Sequence, residues 1–200
     1  MSPSRSQVQP SAASLDRQSS LEYKLAMKND SPIGPNDLST VRDHEDSRGI
    51  LRNSAKAIII RDGRLLVIRN IDTDGDFHIL PGGGQRFGET LGEALKRECL
   101  EEAGASVRVG RLRLVREYIG KNHEFASDDG EAHQLEFMFE CELVDDYSPR
   151  EGHLPDQYQT GVTWLPLDEL EKHRLYPKVL TGILTQGLNS LTPVYLGDVN

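Results

Sequence analysis

Positive charge is in short supply in this chain: Lys and Arg number 23 against 32 Asp and Glu, for a formal net charge of −9. Such a surface repels polyanions at long range and lacks the basic stripe of a nucleic-acid binder, which excludes large RNA or DNA as a partner. Cysteine is down to Cys99 and Cys141. Two are too few for a disulfide framework or the common structural zinc sites, and both read as reduced, buried hydrophobes. Long apolar runs are missing as well. No stretch approaches the length of a membrane span and the opening residues hold no apolar segment of the secretory type, so no membrane partner is expected and the cytoplasm is the expected location.

What is present supports one ordinary core. Two hundred residues with a 36% hydrophobic share argue for a single folded domain. Residues 1–50 differ in character, being rich in Ser, Gln, Pro and Asp with few apolar residues and no sustained period. They read as a flexible N-terminal extension ahead of a domain spanning 51–200.

From Ser54 the pattern is strand-like. Ala55-Lys-Ala-Ile-Ile-Ile60 and Leu65-Leu-Val-Ile68 flank Asp62-Gly63, a strong hairpin signal. Phe77-His-Ile-Leu80 is a third short strand that delivers the chain into Pro81-Gly-Gly-Gly84, and Val107 to Val109 and Leu112 to Ile119 continue the sheet. From His133 to Leu143 the residues alternate, with Leu135, Phe137, Phe139, Cys141 and Leu143 on one face and Gln134, Glu136, Met138, Glu140 and Glu142 on the other. That alternation predicts one core face. Lys121 to Glu131 reads as a polar loop long enough to overhang a site. Trp164 to Leu170 ends a strand and enters a helix, and Pro177 to Leu188 reads as the final helix. Strands interleaved with helices predict an α/β fold.

One helix carries the chemistry. Thr90, three residues before Glu93, forms the sequence signature of a capping box, and Gly104 is a natural left-handed terminator. Between them Leu91, Leu95, Glu98 and Glu102 fall on one face, with Glu101 flanking. The apolar stripe turns acidic halfway along. Three like charges within two turns repel, and on an inward face an unpaired carboxylate is neutralised or costs several kcal/mol. A hard divalent cation removes both problems, because carboxylate oxygens suit Mg²⁺ or Mn²⁺. The glycine segment just ahead of the helix has no side-chain bulk, so its backbone can approach a metal or phosphate oxygens closely.

Gly83, five residues, Glu89, seven residues, then Arg97-Glu98-Cys99-Leu100-Glu101-Glu102-Ala103-Gly104-Ala105 fills every specified position of a known signature. It resembles that of the Nudix hydrolases. At average composition its seven fixed positions coincide by chance on the order of once in 10⁸ starts, so the match is specific. Leu80-Pro-Gly-Gly before the box and Trp164-Leu-Pro-Leu after it extend the likeness over residues 54–176.

The resemblance implies a mixed β-sheet in an α/β/α sandwich, and Mg²⁺-dependent hydrolysis of the diphosphate linkage in a nucleoside-diphosphate-X compound, with Mn²⁺ able to substitute. Expected metal ligands are Glu98 and Glu102, Glu101 beside them, and a backbone carbonyl of Gly83 or its neighbour Gly82. Glu98 is also the expected base for the attacking water, with Glu131, Glu136 and Asp129 as rivals. Arg97 is expected to orient a carboxylate through its planar fork, and Glu89 to be structural. Substrate is expected to be a small nucleotide or nucleotide sugar. A homodimer is an expectation carried by the resemblance alone. The alternative is a Nudix-fold regulatory module that binds nucleotide without turning it over, against which the intact carboxylate set argues.

Overall fold

The computed structural model describes residues 51–189 and 191–200; the expected extension at 1–50 lies outside them. Strands β1 (Leu51–Arg61) and β2 (Arg64–Asp72) meet at the Asp62-Gly63 turn, where both residues adopt left-handed backbone, as the tight Asp-Gly hairpin turn requires. The two strands pair only at Ile60–Leu65 and Arg61–Arg64, then part. Beyond that corner β1 pairs in parallel with β5 (His133–Leu143), while β2 pairs antiparallel with β3 (Gly75–Ile79) and β6 (Gln159–Pro166).

The outer strands complete an eight-stranded mixed sheet. β4 (Val107–Ile119) lies antiparallel to β5 and takes the short β8 (Tyr195–Asp198) in parallel on its other edge, and β7 (Leu175–Tyr176) lies parallel to β3. Val107 to Ile119 is one strand with irregular register between Val109 and Leu114, where two strands with a break were expected.

The parting of β1 and β2 matters because it leaves β1 with a free edge next to the end of β3. Residues 81–85 fill that edge. Ala57 N–H donates to the Pro81 carbonyl at 2.8 Å, Ala55 N–H to Gly83 at 2.9 Å and Gln85 N–H to Asn53 at 3.0 Å. The glycine loop is thereby held along its length by strand-like bonds, and the helix that follows, α1 (Leu91–Ala103), starts from a fixed point.

Helices cover both faces. α1 packs Leu95, Cys99 and Ala103 against Ala55, Ala57, Ile59, Leu66 and Ile68. On the opposite face Ile58, Leu65, Val67, Leu114 and Met138 meet Leu170 of a 3₁₀ helix (Leu167–Lys172) and Leu180 and Leu184 of a later α-helix (Val179–Gln186). This is the expected α/β/α arrangement. Alternate residues of β1 feed the two cores, as the period of a strand dictates.

Burial on both faces also corrects the reading of β5. Its supposed polar face holds Met138, fully buried, and Glu136, only 5% exposed, whereas Leu135, Phe137 and Phe139 are merely half-buried. The core on the second face of the sheet takes in Met138, while Glu140 and Glu142 farther along that face stay exposed. The polar loop from Lys121 to Glu131 contains a 3₁₀ turn (Gly120–Asn122) and a single helical turn, α2 (Ala126–Asp129), which makes Val179–Gln186 the third α-helix, α3. No helix among the described residues is long and apolar enough to cross a membrane.

Candidate active site

The capping box expected at the start of α1 is formed in both directions. Glu93 N–H donates to the Thr90 hydroxyl at 3.2 Å, and Thr90 N–H donates to the Glu93 carboxylate at 2.8 Å. Gly104, in left-handed conformation, closes the other end. With both ends fixed, the rotation of α1 is set by the packing of Leu95 and Cys99, and that rotation carries Glu98 and Glu102 to the glycine loop.

Two glycines let the loop come that close. A β-carbon on Gly82, whose φ is 122°, would stand 2.2 Å from the Ala55 carbonyl oxygen, so no other residue fits between loop and strand. A β-carbon on Gly83 would lie 2.7 Å from Cδ and 2.8 Å from Oε2 of Glu98. The Glu98 carboxylate thus rests on bare backbone. Glu102, 3% exposed, accepts the Gly82 N–H at 2.9 Å. Burial pushes its carboxyl up to about 7, although the Lys56 charge and the Gly82 N–H both pull the other way.

Arg97 organises the remaining acids. Its Nε and Nη2 bond the two oxygens of Glu89 at 2.7 and 2.8 Å, its Nη1 reaches Glu98 Oε1 at 2.5 Å and Glu101 Oε2 at 3.0 Å, and Nη2 also donates to the Gly84 carbonyl at 3.0 Å. One guanidinium therefore holds three carboxylates and the loop, which is more than the single carboxylate expected of it. Glu89 accepts the Arg86 N–H as well, and chiefly through Arg97 its carboxyl is held down to about 2.

The acids are brought together, but around Arg97 and the loop. Among the described residues no three His, Cys, Asp or Glu side chains converge on a common point as a ready-made metal cluster. Glu98 and Glu101 turn one oxygen each to Arg97, and Glu102 turns one to Gly82. The Gly83 carbonyl is committed too: it accepts Ala55 N–H at 2.9 Å and the Ser54 hydroxyl at 3.2 Å. The Gly82 carbonyl instead accepts the ammonium of Lys56.

The rival bases lie elsewhere. Glu136 is clamped by Arg116 Nε at 2.5 Å and by Gln134 at 2.8 Å. Burial pushes its carboxyl up, but Arg116 and Lys56 outweigh that and hold it below its usual range. Asp129 is exposed, 3.4 Å from the Tyr118 hydroxyl, and Glu131 is exposed. Of the histidines in this region, His123 is tied to Asp198 at 2.6 Å. Cavities of about 470 and 390 Å³ lie against Arg69 and His78 and against Arg111 and Asn189, and no box residue lines either.

Sequence reasoning overlooked Lys56. Its signal was there: a lone lysine in Ala55-Lys56-Ala57-Ile58-Ile59, where every neighbour is an inward apolar residue.

Comparison with known proteins bears on the family and the fold. The family model for the NUDIX domain matches residues 51–181. The chain belongs to the Nudix family. It is a Nudix hydrolase, an enzyme class that acts on phosphorus-containing anhydrides. A Nudix hydrolase from Nitrosomonas europaea superposes with a TM-score of 0.54 at 20% identity, covering 66% of this chain and 85% of its own. A second from the same organism gives 0.53 at 19% identity, with 74% and 78% covered. A UDP-X diphosphatase gives 0.51 at 20% identity, with 96% and 89% covered. At such identities the likeness is one of fold, and it places this Nudix sheet and its box helix in a recurrent architecture.

Proposed function

We propose that this Nudix hydrolase cleaves the diphosphate linkage of a small nucleoside-diphosphate-X compound, such as a nucleoside triphosphate or nucleotide sugar, by attack of water at phosphorus, and that it does so with Mg²⁺ or Mn²⁺. The observation that carries the reading is the seating of Glu98 and Glu102 on the backbone of Gly83 and Gly82. Phosphoryl-type transfer asks a protein mainly for positioning and charge neutralisation, and a fixed set of acids on a side-chain-free loop supplies the place for both.

The residues fit a hard divalent cation. All donors are oxygens, and Glu102 is a buried carboxylate whose charged form is under-compensated by its present neighbours. Glu98, Glu101 and Glu102 would hold the ion, with the Gly82 carbonyl rather than that of Gly83, since the latter already accepts two donors. When bound, the ion neutralises phosphate charge and acidifies a coordinated water.

The protein's own part follows from its geometry. Arg97 fixes Glu98 through Oε1, which leaves Oε2 facing the loop to take the proton of the attacking water as the water oxygen bonds to phosphorus and the bridging P–O bond breaks. The loop excludes side chains from the place where phosphate oxygens must lie. The acidic surface favours a small, metal-borne substrate over a polyanion. The same proposal includes residues 1–50 as an extension ahead of the hydrolase domain, and a homodimer.

The test is turnover of a nucleotide and nucleotide-sugar panel in ¹⁸O-labelled water with Mg²⁺, with products weighed by mass spectrometry. Label in a phosphate product, lost by orders of magnitude in Glu98→Gln and Glu102→Gln with the fold intact, is the expected result. Full turnover by both variants would overturn the assignment of ligands and base.

A further inference from the structure

β1 presents Ala55, Ala57, Ile58 and Ile59 to the two cores, all essentially fully buried, and among them stands Lys56. Its side chain shares a strand face with Ser54 and Ile58 and runs to the glycine loop, where its ammonium donates to the Gly82 carbonyl. Gly82 also carries, on its N–H, the buried carboxylate of Glu102. One peptide residue therefore couples a lysine to a buried acid whose carboxyl burial pushes up. Among the described residues Lys56 makes no ion pair of its own, and its charge acts through space on both Glu102 and Glu136. Arg97 occupies Glu98 and Glu101 but does not touch Glu102.

These contacts put a positive charge on the Gly82 carbonyl, whereas the Gly83 carbonyl already accepts Ala55 and Ser54 and the Gly84 carbonyl accepts Arg97. An ammonium is a compact, mobile charge on a flexible stem, able to leave such a position when a stronger cation arrives. We propose that Lys56 is a tethered counter-ion of the site: in the metal-free protein its ammonium occupies the Gly82 carbonyl beside Glu102, and it competes with the divalent cation for that place. The inference rests on the metal-dependent reading given above and deepens it. It makes Lys56 a positioning residue that sets how tightly the enzyme holds its metal.

A strut and a competitor respond oppositely to removal of the charge. If Lys56 only braces the loop, Lys56→Met leaves Mn²⁺ binding unchanged or weaker. If it competes, Lys56→Met binds Mn²⁺ tighter, on the order of tenfold for loss of one opposing charge at this range. Lys56→Gln gives the same direction should the methionine variant fold poorly, and Lys56→Arg, which keeps the charge, returns affinity to the wild-type range or below.

The experiment is Mn²⁺ titration of the full chain by electron paramagnetic resonance, with thermal melts in the absence and presence of saturating Mn²⁺. Tighter binding in Lys56→Met and Lys56→Gln, with a lowered melting temperature only when metal is absent, is the expected outcome. Unchanged or weaker Mn²⁺ binding in both neutral variants overturns the inference while leaving the metal site standing. A wild type that binds no Mn²⁺, or binds it as well after Glu98→Gln as before, overturns both.

Discussion

Gly83 lies beneath the carboxylate of Glu98 so closely that a methyl group on its α-carbon would stand 2.7 Å from Cδ. That contact joins the loop to the helix at the atom expected to do chemistry. Gly83→Ala has an allowed backbone, so its effect is steric and local: the methyl must push Glu98 off the loop and away from the Arg97 nitrogen that holds it at 2.5 Å. Displacement by about 1 Å at a reacting group costs on the order of 10²-fold in rate. We expect kcat/KM to fall by about that factor with little change in melting temperature, and steady-state kinetics beside a thermal melt checks both.

Arg97→Lys tests the organiser. A lysine keeps the charge but has no planar fork, so it cannot hold both oxygens of Glu89 while reaching Glu98 and Glu101. Loss of groups that orient metal ligands typically weakens metal affinity or activity by about 10- to 100-fold. We expect a loss in that range for both, with Mn²⁺ titration and turnover falling together. Turnover at the wild-type level would remove Arg97 from the machinery.

Glu102 makes stability depend on pH in an unusual direction. Its carboxyl titrates at about 7 in the fold against an ordinary 4.5, so between those values the folded chain keeps a proton that the unfolded chain has lost. Without a divalent cation, the Glu102 contribution to stability is therefore full below pH 4.5, declines as pH rises toward 7 and is lost above it. The difference is on the order of 3 kcal/mol. Urea denaturation in chelator across this range should show the decline, Glu102→Gln should flatten it, and Mg²⁺ should restore stability at pH 8 far more than at pH 5. A Glu102→Gln profile that keeps the wild-type slope would place its cause elsewhere.

Local rules were readable where one short segment decides the outcome. Asp62-Gly63, the Thr90–Glu93 capping box and the Gly104 terminator each depend on residues a few positions apart, and each is found in place. The box helix could be read for the same reason, since its period alone sets Glu98 and Glu102 on one face. What could not be read depends on partners distant in sequence. The burial of Glu136 follows from Arg116, twenty residues away on the neighbouring strand, and from the helices that close the second face of the sheet. Which donors the loop carbonyls accept depends on Ser54, Ala55 and Lys56, set beside the loop only because β1 and β2 part after two residue pairs.

The Arg116–Glu136 pair carries the last prediction. Both side chains are 7% exposed, and Arg116 also donates to the Val199 carbonyl at 2.6 Å, so the pair ties β4, β5 and the end of the chain together. Arg116→Met leaves a buried carboxylate without its partner, and breaking such a pair from one side costs about 3–5 kcal/mol. Replacing both members removes the orphaned charge, so Arg116→Met combined with Glu136→Leu should be more stable than Arg116→Met alone, by most of that amount. Lys56 also acts on Glu136, so Glu136→Leu removes one acid facing Lys56 and the recovery in the double variant stops short of the wild type. Urea denaturation of the single and double variants measures the coupling directly. Additive losses in the double variant would show that Glu136 is held by groups other than Arg116.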